Sequence, residues 1–221
     1  MCQQLPNINS YTYNLRAVLI ALKNWVVDDN VPPTSRYPKI SDGTLVEHTK
    51  IAFPKIPRVS ANFDILVNHR TLYNRGPEFD GSNLSGYESM LPPIAVMDYP
   101  ALVPQVDSDG NDVGGVHSLS LMVPLGTYTA WNTRAAGFSA GDACDLIGSF
   151  IPFPKTATDA ASSGDPRKSI ASRYPSAAAY DIAVEAAARA LVTQGFLLAT
   201  DEASAVSQAK AQANRSGLLP P

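Results

Sequence analysis

A serine lies at the centre of residues 137–141, which read GFSAG and match the pattern G-x-S-x-G. In that pattern a tight turn between a buried strand and a helix presents the serine hydroxyl to a histidine base and an oxyanion hole, so that it attacks a carbonyl carbon. Residues 131–136, directly upstream, read WNTRAA and lack the apolar strand that such a turn needs. We therefore favour a loop of small residues here, and Ser139 stays the nucleophile of an alternative hypothesis.

The candidate bases are the three histidines, and all of them precede Ser139 in the chain: His48, His69 and His117. The chain order serine, acid, histidine requires a histidine after the serine, although other folds use other orders. A self-contained esterase would have to use His117 as the base for Ser139. Leu119, Leu121 and Val123 follow His117 at every second position, so we expect a strand here, with His117 packed on the same face.

The sequence predicts neither a metal site nor another cofactor. His48 and His69 lie among polar residues without the spacing of metal ligands. Residues 107–112 read DSDGND, but a calcium loop of the EF-hand type needs glycine where Asp112 lies and glutamate where Ser118 lies. We predict a turn instead, in which Asp and Asn side chains bond their own backbone.

The candidate binding site comprises four residues between a predicted strand and a glycine-rich turn: Tyr128, Trp131, Asn132 and Arg134. Two aromatic rings with an amide and a guanidinium can form a wall for a polar or aromatic ligand. Trp131 can equally anchor its loop to the core, as large aromatic residues commonly do. We predict substrate binding by these four residues and assign no catalytic residue.

The composition supports a folded core and excludes nucleic acid as a partner. Of 221 residues, 45% are hydrophobic and 17% are charged, and 17 Lys and Arg against 20 Asp and Glu leave a net charge of −3. Nucleic-acid binding proteins carry clustered positive charge, which this chain lacks. The 18 prolines indicate stiff loops and edge strands.

Neither a membrane span nor a signal peptide is predicted, and the cellular compartment stays open. The longest apolar stretch, residues 17–27, is interrupted by Lys23 and Asn24. The N-terminal residues MCQQLPN contain neither a basic region nor a cleavage site of small residues. The sequence leaves open whether its two cysteines, Cys2 and Cys144, form a disulfide.

Helices are predicted near both ends of the chain. Residues 14–28 show helical spacing, and another element has to cover the apolar stripe, which consists of Leu15, Val18, Leu19, Leu22, Trp25 and Val26. Ser176 is the predicted N-cap of a second helix that ends before Gly195. A third helix, from about residue 200 to 214, completes a helical hairpin.

The middle of the chain is predicted as an irregular β region, because prolines separate short β-prone runs. The predicted strands include residues 64–67 and 94–97, and residues 102–106 and 113–123 form a hairpin around the turn at 107–112. Residues 152–166 are predicted as a loop. The fold class is therefore mixed α+β, with a helical part at residues 1–31, a β and loop part at 32–174, and a helical hairpin at 175–221, which packs with the β part as one unit.

Several word-like blocks resemble one family, and they span most of the chain: CQQLPN (2–7), PTSRYP (33–38), DGTLV (42–46), VPLGTYTAWN (123–132), IGSFIPF (147–153), GDPR (164–167) and SRY (172–174). They are similar to the C-terminal part of large bacterial proteins that contain an alpha/beta hydrolase domain. The resemblance implies that the first helix is the last helix of a hydrolase core, with an incomplete α/β-hydrolase sheet, and that the rest is an extension.

The resemblance also implies a function, that of a serine-dependent carboxylic ester hydrolase acting on small-molecule esters without a cofactor. The family's nucleophile and histidine lie upstream of the block at residues 2–7, so no position in this chain matches a catalytic residue. We expect a truncated chain that shapes the substrate pocket, and its expected partner is the missing hydrolase core or another chain. The alternatives are a non-catalytic binding or structural module, and a small esterase that uses Ser139.

Overall fold

A computed structural model describes residues 1–82, 87–145 and 147–220. Within these residues the chain is a mixed α+β protein with seven α-helices and three small antiparallel sheets, which confirms the predicted fold class. The helices are α1 (Thr12–Asp28), α2 (Phe63–Leu66), α3 (Leu119–Met122), α4 (Ala157–Ser163), α5 (Ile170–Arg173), α6 (Ala177–Thr193) and α7 (Glu202–Ser216). The strands are β1 (Leu5–Pro6), β2 (Leu45–Glu47), β3 (Arg70–Asn74), β4 (Ile94–Tyr99), β5 (Leu102–Pro104), β6 (Gly126–Thr129) and β7 (Ser149–Pro152).

The strands form separate small sheets rather than one continuous sheet. The central sheet has the order β1-β7-β6, and β2 pairs with β5 and β3 with β4. All of these pairs are antiparallel. All strand pairs among the described residues are therefore antiparallel, whereas the sheet of a complete α/β fold is mainly parallel. This agrees with an incomplete α/β fold.

The main core lies between the central sheet and the C-terminal helices. Phe150 and Phe153 of the β7 region pack with Ile170 of α5 and with Tyr180 and Val184 of α6. All five residues are buried. Removing this much aromatic and aliphatic surface from water stabilises the sheet and the helices as one unit.

The C-terminal helical hairpin is confirmed. The Ser176 hydroxyl accepts a hydrogen bond from the Ala179 N–H at 3.2 Å and so caps α6. Gly195 follows the helix with a φ of +78°, and a Cβ there would lie 2.6 Å from Pro33 Cγ. Both the left-handed backbone and the close approach of Pro33 therefore require glycine at this position.

Helix α1 forms where the sequence predicts it, but most of its apolar stripe is not covered by any residue that the structure describes. The six stripe residues, named above, are between 46% and 74% exposed. The helix is held through its first turns, where the Asn14 amide donates to the Phe196 carbonyl at 3.0 Å and Ala17 is buried. Arg16 forms an ion pair with Asp201 at 3.2 Å.

Two predicted strands are wrong. Residues 64–67 fall on the short helix α2, because the Asn62 side chain accepts from the Asp64 N–H at 3.2 Å and starts a helical turn. The predicted hairpin around 107–112 keeps its turn, with Val106 and Asp112 as a bridge, but residues 113–123 form no strand. β5 pairs with β2 instead, and α3 packs against the C-terminal helices. Tertiary packing thus overrides the alternating pattern.

The loop predicted for residues 152–166 is wrong as well, because it contains α4. Thr156 and Asp159 form a capping box, in which the Thr156 hydroxyl accepts from the Asp159 N–H and the Asp159 carboxylate accepts from the Thr156 N–H. Two backbone N–H groups at the helix start are satisfied in this way, which stabilises a helix made largely of small residues.

Candidate functional site

Tyr128 lies on the buried strand β6, and its side chain belongs to the main core. The ring packs against Phe150 with a centroid separation of 5.1 Å. Burial raises the pKa of the Tyr128 hydroxyl, because the charged form loses its hydration. The Tyr128 hydroxyl thus keeps its proton, and the central sheet fixes the position of its ring.

Trp131 lies just beyond the end of β6 and forms an aromatic cluster with two phenylalanines. Its ring lies 5.5 Å from that of Phe53 and 5.8 Å from that of Phe63, and the Phe63 contact is edge to face. The two phenylalanine rings are themselves 5.8 Å apart. Aromatic contacts of this geometry hold each other in place beyond the effect of buried area. Trp131 therefore anchors its loop, and it also lines a pocket.

An apolar pocket of about 220 Å³ opens beside this aromatic cluster, and both Tyr128 and Trp131 line it. Among its described lining residues the one charged side chain is Asp112. Although Asp112 keeps contact with solvent, neighbouring protein atoms desolvate its carboxyl and raise its pKa, and the nearby His117 opposes this shift. The pocket thus combines aromatic walls with a carboxyl group that holds its proton more readily than usual.

Asn132 and Arg134 lie outside the lining of this pocket. The buried Asn132 amide donates to the Gln4 carbonyl at 3.0 Å and accepts from the Gln4 N–H at 3.3 Å, so it holds the N-terminal segment. Arg134 forms a backbone bridge with Cys2, and its Nε donates to the Ala143 carbonyl at 3.4 Å. The structure therefore divides the four predicted residues into two that line the pocket and two that fasten the N-terminus.

The N-terminus is also fastened covalently, because Cys2 and Cys144 form a disulfide. Their Cα atoms are 5.6 Å apart. The sequence left this pairing open, because two cysteines separated by 142 positions have no local signal that shows their proximity. The disulfide joins the residues before β1 to the strand-like segment that precedes β7.

Ser139 lies in an exposed hairpin loop, which confirms the loop interpretation of GFSAG. Backbone hydrogen bonds close the loop from Arg134 N–H to the Asp142 carbonyl at 2.8 Å and from Cys144 N–H to the Asn132 carbonyl at 2.8 Å. Ser139 has a φ of +52°, but neither a buried strand before it nor a helix directly after it is present. This is the geometry of a turn between two strand-like segments, which differs from a nucleophile elbow.

His117 precedes α3 and is not part of a strand, so that prediction is wrong. Its Nε2 atom is buried and has no hydrogen-bond partner. No hydrogen bond from Ser139 to an imidazole occurs in the part of the chain that the structure describes. The His117 imidazole therefore lies near the Asp112 carboxyl, and its Nε2 atom makes no hydrogen bond to Ser139.

A wider, open cleft of about 1150 Å³ lies between the N-terminal segment, residues 56–60 and β7. Arg167 and Asp165 lie at its wall, and both side chains are buried and paired with each other. Desolvation by burial would raise the pKa of Asp165, but the hydrogen bonds and charge of Arg167 outweigh it and lower the pKa. These two groups thus stabilise the wall and are engaged with each other rather than with a ligand.

One grouping was missed by sequence reasoning, namely His48, Asp64 and His69. One possible ligand atom from each residue lies within 4.8 Å of the other two. The spacing carries no signal, because a 3₁₀ turn and the helix α2 bring residues together that are 16 and 5 positions apart.

The described residues thus combine a mixed α+β fold with an aromatic pocket beside Trp131. A profile of the alpha/beta hydrolase domain family matches residues 1–207. The chain belongs to this family, which confirms the resemblance drawn from its sequence blocks. No curated protein sequence matches the chain, and no solved structure does. None of the helices that the structure describes combines the length and hydropathy needed to cross a bilayer.

Proposed function

We propose that this chain is the C-terminal portion of a serine-dependent carboxylic ester hydrolase and that it shapes the substrate pocket. In this proposal the nucleophilic serine and the histidine base are contributed by polypeptide outside these 221 residues. Membership of the alpha/beta hydrolase domain family supports hydrolytic chemistry in general. The proposal adds to this an ester as the substrate, a pocket formed by this chain, and a nucleophile and base that lie outside it.

The exposed apolar face of α1 is the observation that carries this proposal. Leu19, Trp25 and Val26 are 54%, 50% and 74% exposed, and the other stripe residues are exposed to a similar degree. A contiguous apolar stripe on one helix is unusual in a surface that faces water and typically marks an interface. In the α/β architecture helices cover the faces of a mainly parallel sheet. A hydrolase core sheet is therefore the surface that this stripe fits.

The absence of a working serine–histidine pair from the described residues also supports a second polypeptide segment. Ser139 lies in a hairpin loop, and His117 Nε2 is buried without a partner. A serine hydroxyl is a weak nucleophile unless a base lies within hydrogen-bonding distance. An active hydrolase therefore needs these groups from elsewhere.

The aromatic pocket beside Trp131 is the part of this chain that we assign to substrate. Its volume of about 220 Å³ is below that of sites for drug-sized ligands, roughly 300–1,000 Å³, and suits a short acyl chain or a single ring. Trp131, Phe53 and Phe63 supply its aromatic rings, and Tyr128 lines it from β6. Asn132 and Arg134 support the pocket indirectly, because they fix the neighbouring N-terminal segment.

The experiment that tests the proposal compares the 221-residue chain with the same chain extended by the reading frame upstream of Met1. We expect no turnover of 4-nitrophenyl acetate and no fluorophosphonate labelling for the chain alone. The extended protein should show both, with the label on a serine upstream of Met1, and Ser139→Ala should leave both unchanged. Activity of the chain alone that Ser139→Ala abolishes would instead establish the small self-contained esterase.

Substitutions on α1 test the same proposal through its interface. In the extended protein, Leu19→Lys with Val26→Lys should abolish ester turnover, because two charges would face the apolar core sheet. Lys23→Ala, on the same helix but outside the stripe, is the matched control and should leave turnover unchanged. Full activity of the doubly substituted protein contradicts a hydrolase core on this face.

A non-catalytic binding module is the second candidate, and the aromatic pocket favours it because binding there needs no triad. Trp25→Phe leaves Trp131 as the single tryptophan, whose fluorescence then reports on the pocket. Butyranilide, an amide that mimics an aryl ester, should quench this emission, and Phe63→Ala in the same background should weaken the effect. If the extended reading frame encodes no hydrolase segment while butyranilide still binds, the binding module replaces the hydrolase proposal.

A further inference from the structure

His48, Asp64 and His69 form a compact group, in which Asp64 directly follows Phe63 of the aromatic cluster. His48 begins a 3₁₀ turn after β2, Asp64 lies on α2, and His69 directly precedes β3. The His48 Nε2 and Asp64 Oδ1 atoms are 3.0 Å apart, and the two imidazole rings meet edge to face at 5.3 Å. Three separate elements therefore bring two imidazoles and a carboxylate to one place.

Backbone carbonyl groups orient both imidazoles. His48 Nδ1 lies 3.4 Å from the Ala101 carbonyl oxygen, and His69 Nε2 lies 2.9 Å from the Asp64 carbonyl oxygen. A carbonyl oxygen can only accept a hydrogen bond, so a ring nitrogen that carries a proton can donate to it. Metal-binding histidines commonly bond a backbone carbonyl through the nitrogen that does not bind the ion, and this contact fixes the orientation of the ring.

The 3.0 Å contact between His48 Nε2 and Asp64 Oδ1 brings an imidazole nitrogen and a carboxylate oxygen together, with the second imidazole beside them. All three side chains offer atoms that bind transition-metal ions. One such atom of each residue lies within 4.8 Å of the other two.

We propose that His48, Asp64 and His69 bind one divalent transition-metal ion. Imidazole nitrogens with one carboxylate suit Zn²⁺, Ni²⁺, Cu²⁺ and Co²⁺, whereas Ca²⁺ and Mg²⁺ prefer sites made of oxygen ligands. Bonds of about 2.0 Å in tetrahedral geometry place ligand atoms about 3.3 Å apart, so small side-chain rotations close this group around an ion. Asp64 is free to rotate because its side chain is 71% exposed.

The bound ion fastens the end of β2, helix α2 and the start of β3 to one another. Zinc in proteins usually has four ligands, so three protein ligands leave one coordination position to water. We assign the site the role of a clamp on residues 48–69. This role is independent of the ester hydrolase proposal.

Isothermal titration of the EDTA-treated 221-residue chain with Zn²⁺ tests this site. We expect one Zn²⁺ per chain with a Kd below about 10 μM, and His48→Ala, Asp64→Asn and His69→Ala should each weaken binding at least tenfold. Asp64→Asn is the decisive variant, because its exposed side chain can change without disturbing a core. Circular dichroism establishes that each variant is folded.

Two matched substitutions control for unspecific binding. Glu47→Gln removes a neighbouring exposed acid, and His117→Gln removes the third histidine of the chain, so both should bind Zn²⁺ like the parent. ¹⁵N spectra of the three histidines should show that Zn²⁺ moves the ring resonances of His48 and His69 and leaves those of His117 in place. A parent chain that does not bind Zn²⁺, Ni²⁺ or Co²⁺ overturns the proposal, as do ligand variants that bind Zn²⁺ as tightly as the parent.

Discussion

The Arg167 guanidinium donates to both carboxylate oxygens of Asp165, at 3.0 Å to Oδ1 and 2.6 Å to Oδ2. It also donates to the Thr127 hydroxyl at 2.9 Å and to the Ile151 and Pro152 carbonyls, both at 3.0 Å. The side chains of Arg167 and Asp165 are 1% and 7% exposed. One buried arginine therefore joins β6, β7 and the segment before α5, and all of its contacts belong to blocks that carry the family resemblance.

Arg167→Met should destabilise the protein strongly. The substitution keeps much of the side-chain volume but leaves the Asp165 carboxylate buried without its partner, which costs about 3–5 kcal/mol in comparable pairs. Urea unfolding followed by circular dichroism measures the change in unfolding free energy. The exposed Arg189→Met is the matched control and should stay within about 0.5 kcal/mol. A loss below about 1 kcal/mol for Arg167→Met contradicts this account of the pair.

The free energy of unfolding should decrease as the pH is lowered through the range in which Asp165 takes up a proton. The folded-state pKa of Asp165 lies below its usual value of 3.8, so the folded chain binds this proton less readily than the unfolded chain. The stabilisation is therefore complete above about pH 5 and declines as the pH falls through 3.8 and below. Urea unfolding between pH 6 and pH 3 measures this slope. The uncharged pair Arg167→Met with Asp165→Leu should show a shallower slope, and an equal slope in both proteins argues against Asp165 as its source.

Reduction of the Cys2–Cys144 disulfide should destabilise the folded chain by about 2–5 kcal/mol. The bond closes a loop that spans 142 positions, so its loss restores much conformational freedom to the unfolded chain. Unfolding in urea with and without dithiothreitol measures the difference. The doubly substituted chain, Cys2→Ser with Cys144→Ser, should unfold like the reduced parent and should not respond to dithiothreitol. A parent whose stability is the same in both conditions would show that the bond contributes little.

In the 221-residue chain itself, substitutions at the buried and at the exposed positions of α1 should change the free energy of unfolding by different amounts. Leu19→Lys changes a residue that is 54% exposed and should alter the unfolding free energy by less than about 0.5 kcal/mol. Ala17→Asp places a charge where the side chain is 2% exposed and should cost several times more. Thermal or urea unfolding of both variants measures these two changes. Equal losses at both positions indicate that the stripe is covered within this chain.

The helices near both ends were predictable because their signals are local. Ser176 at the N-cap and Gly195 after the C-terminus of α6 lie within one or two residues of the helix ends that they determine. The failures fall on short elements such as α2 and α3, each of four residues. Four residues carry too little periodicity to distinguish a helical turn from a strand, so neighbouring packing determines the conformation.

The candidate site was predictable in its residue types but not in its arrangement. Tyr128 and Trp131 were recognised as aromatic residues beside a strand, and they do line a pocket. The other walls come from Phe53 and Phe63, which lie more than sixty positions away in the chain. No local pattern connects such distant residues, and so their proximity is visible only after the chain has folded.

The amino-acid sequence alone established the mixed composition of helices and strands, the end helices with their caps, and membership of a family through short blocks of residues. Folding in three dimensions determined which distant groups meet: Cys2 with Cys144, Arg167 with Thr127, and His48 with Asp64 and His69. The physical reason is the range of the forces involved. Backbone propensity and capping act within a few residues, whereas side-chain packing, ion pairs and disulfides depend on distances in space that chain spacing does not encode.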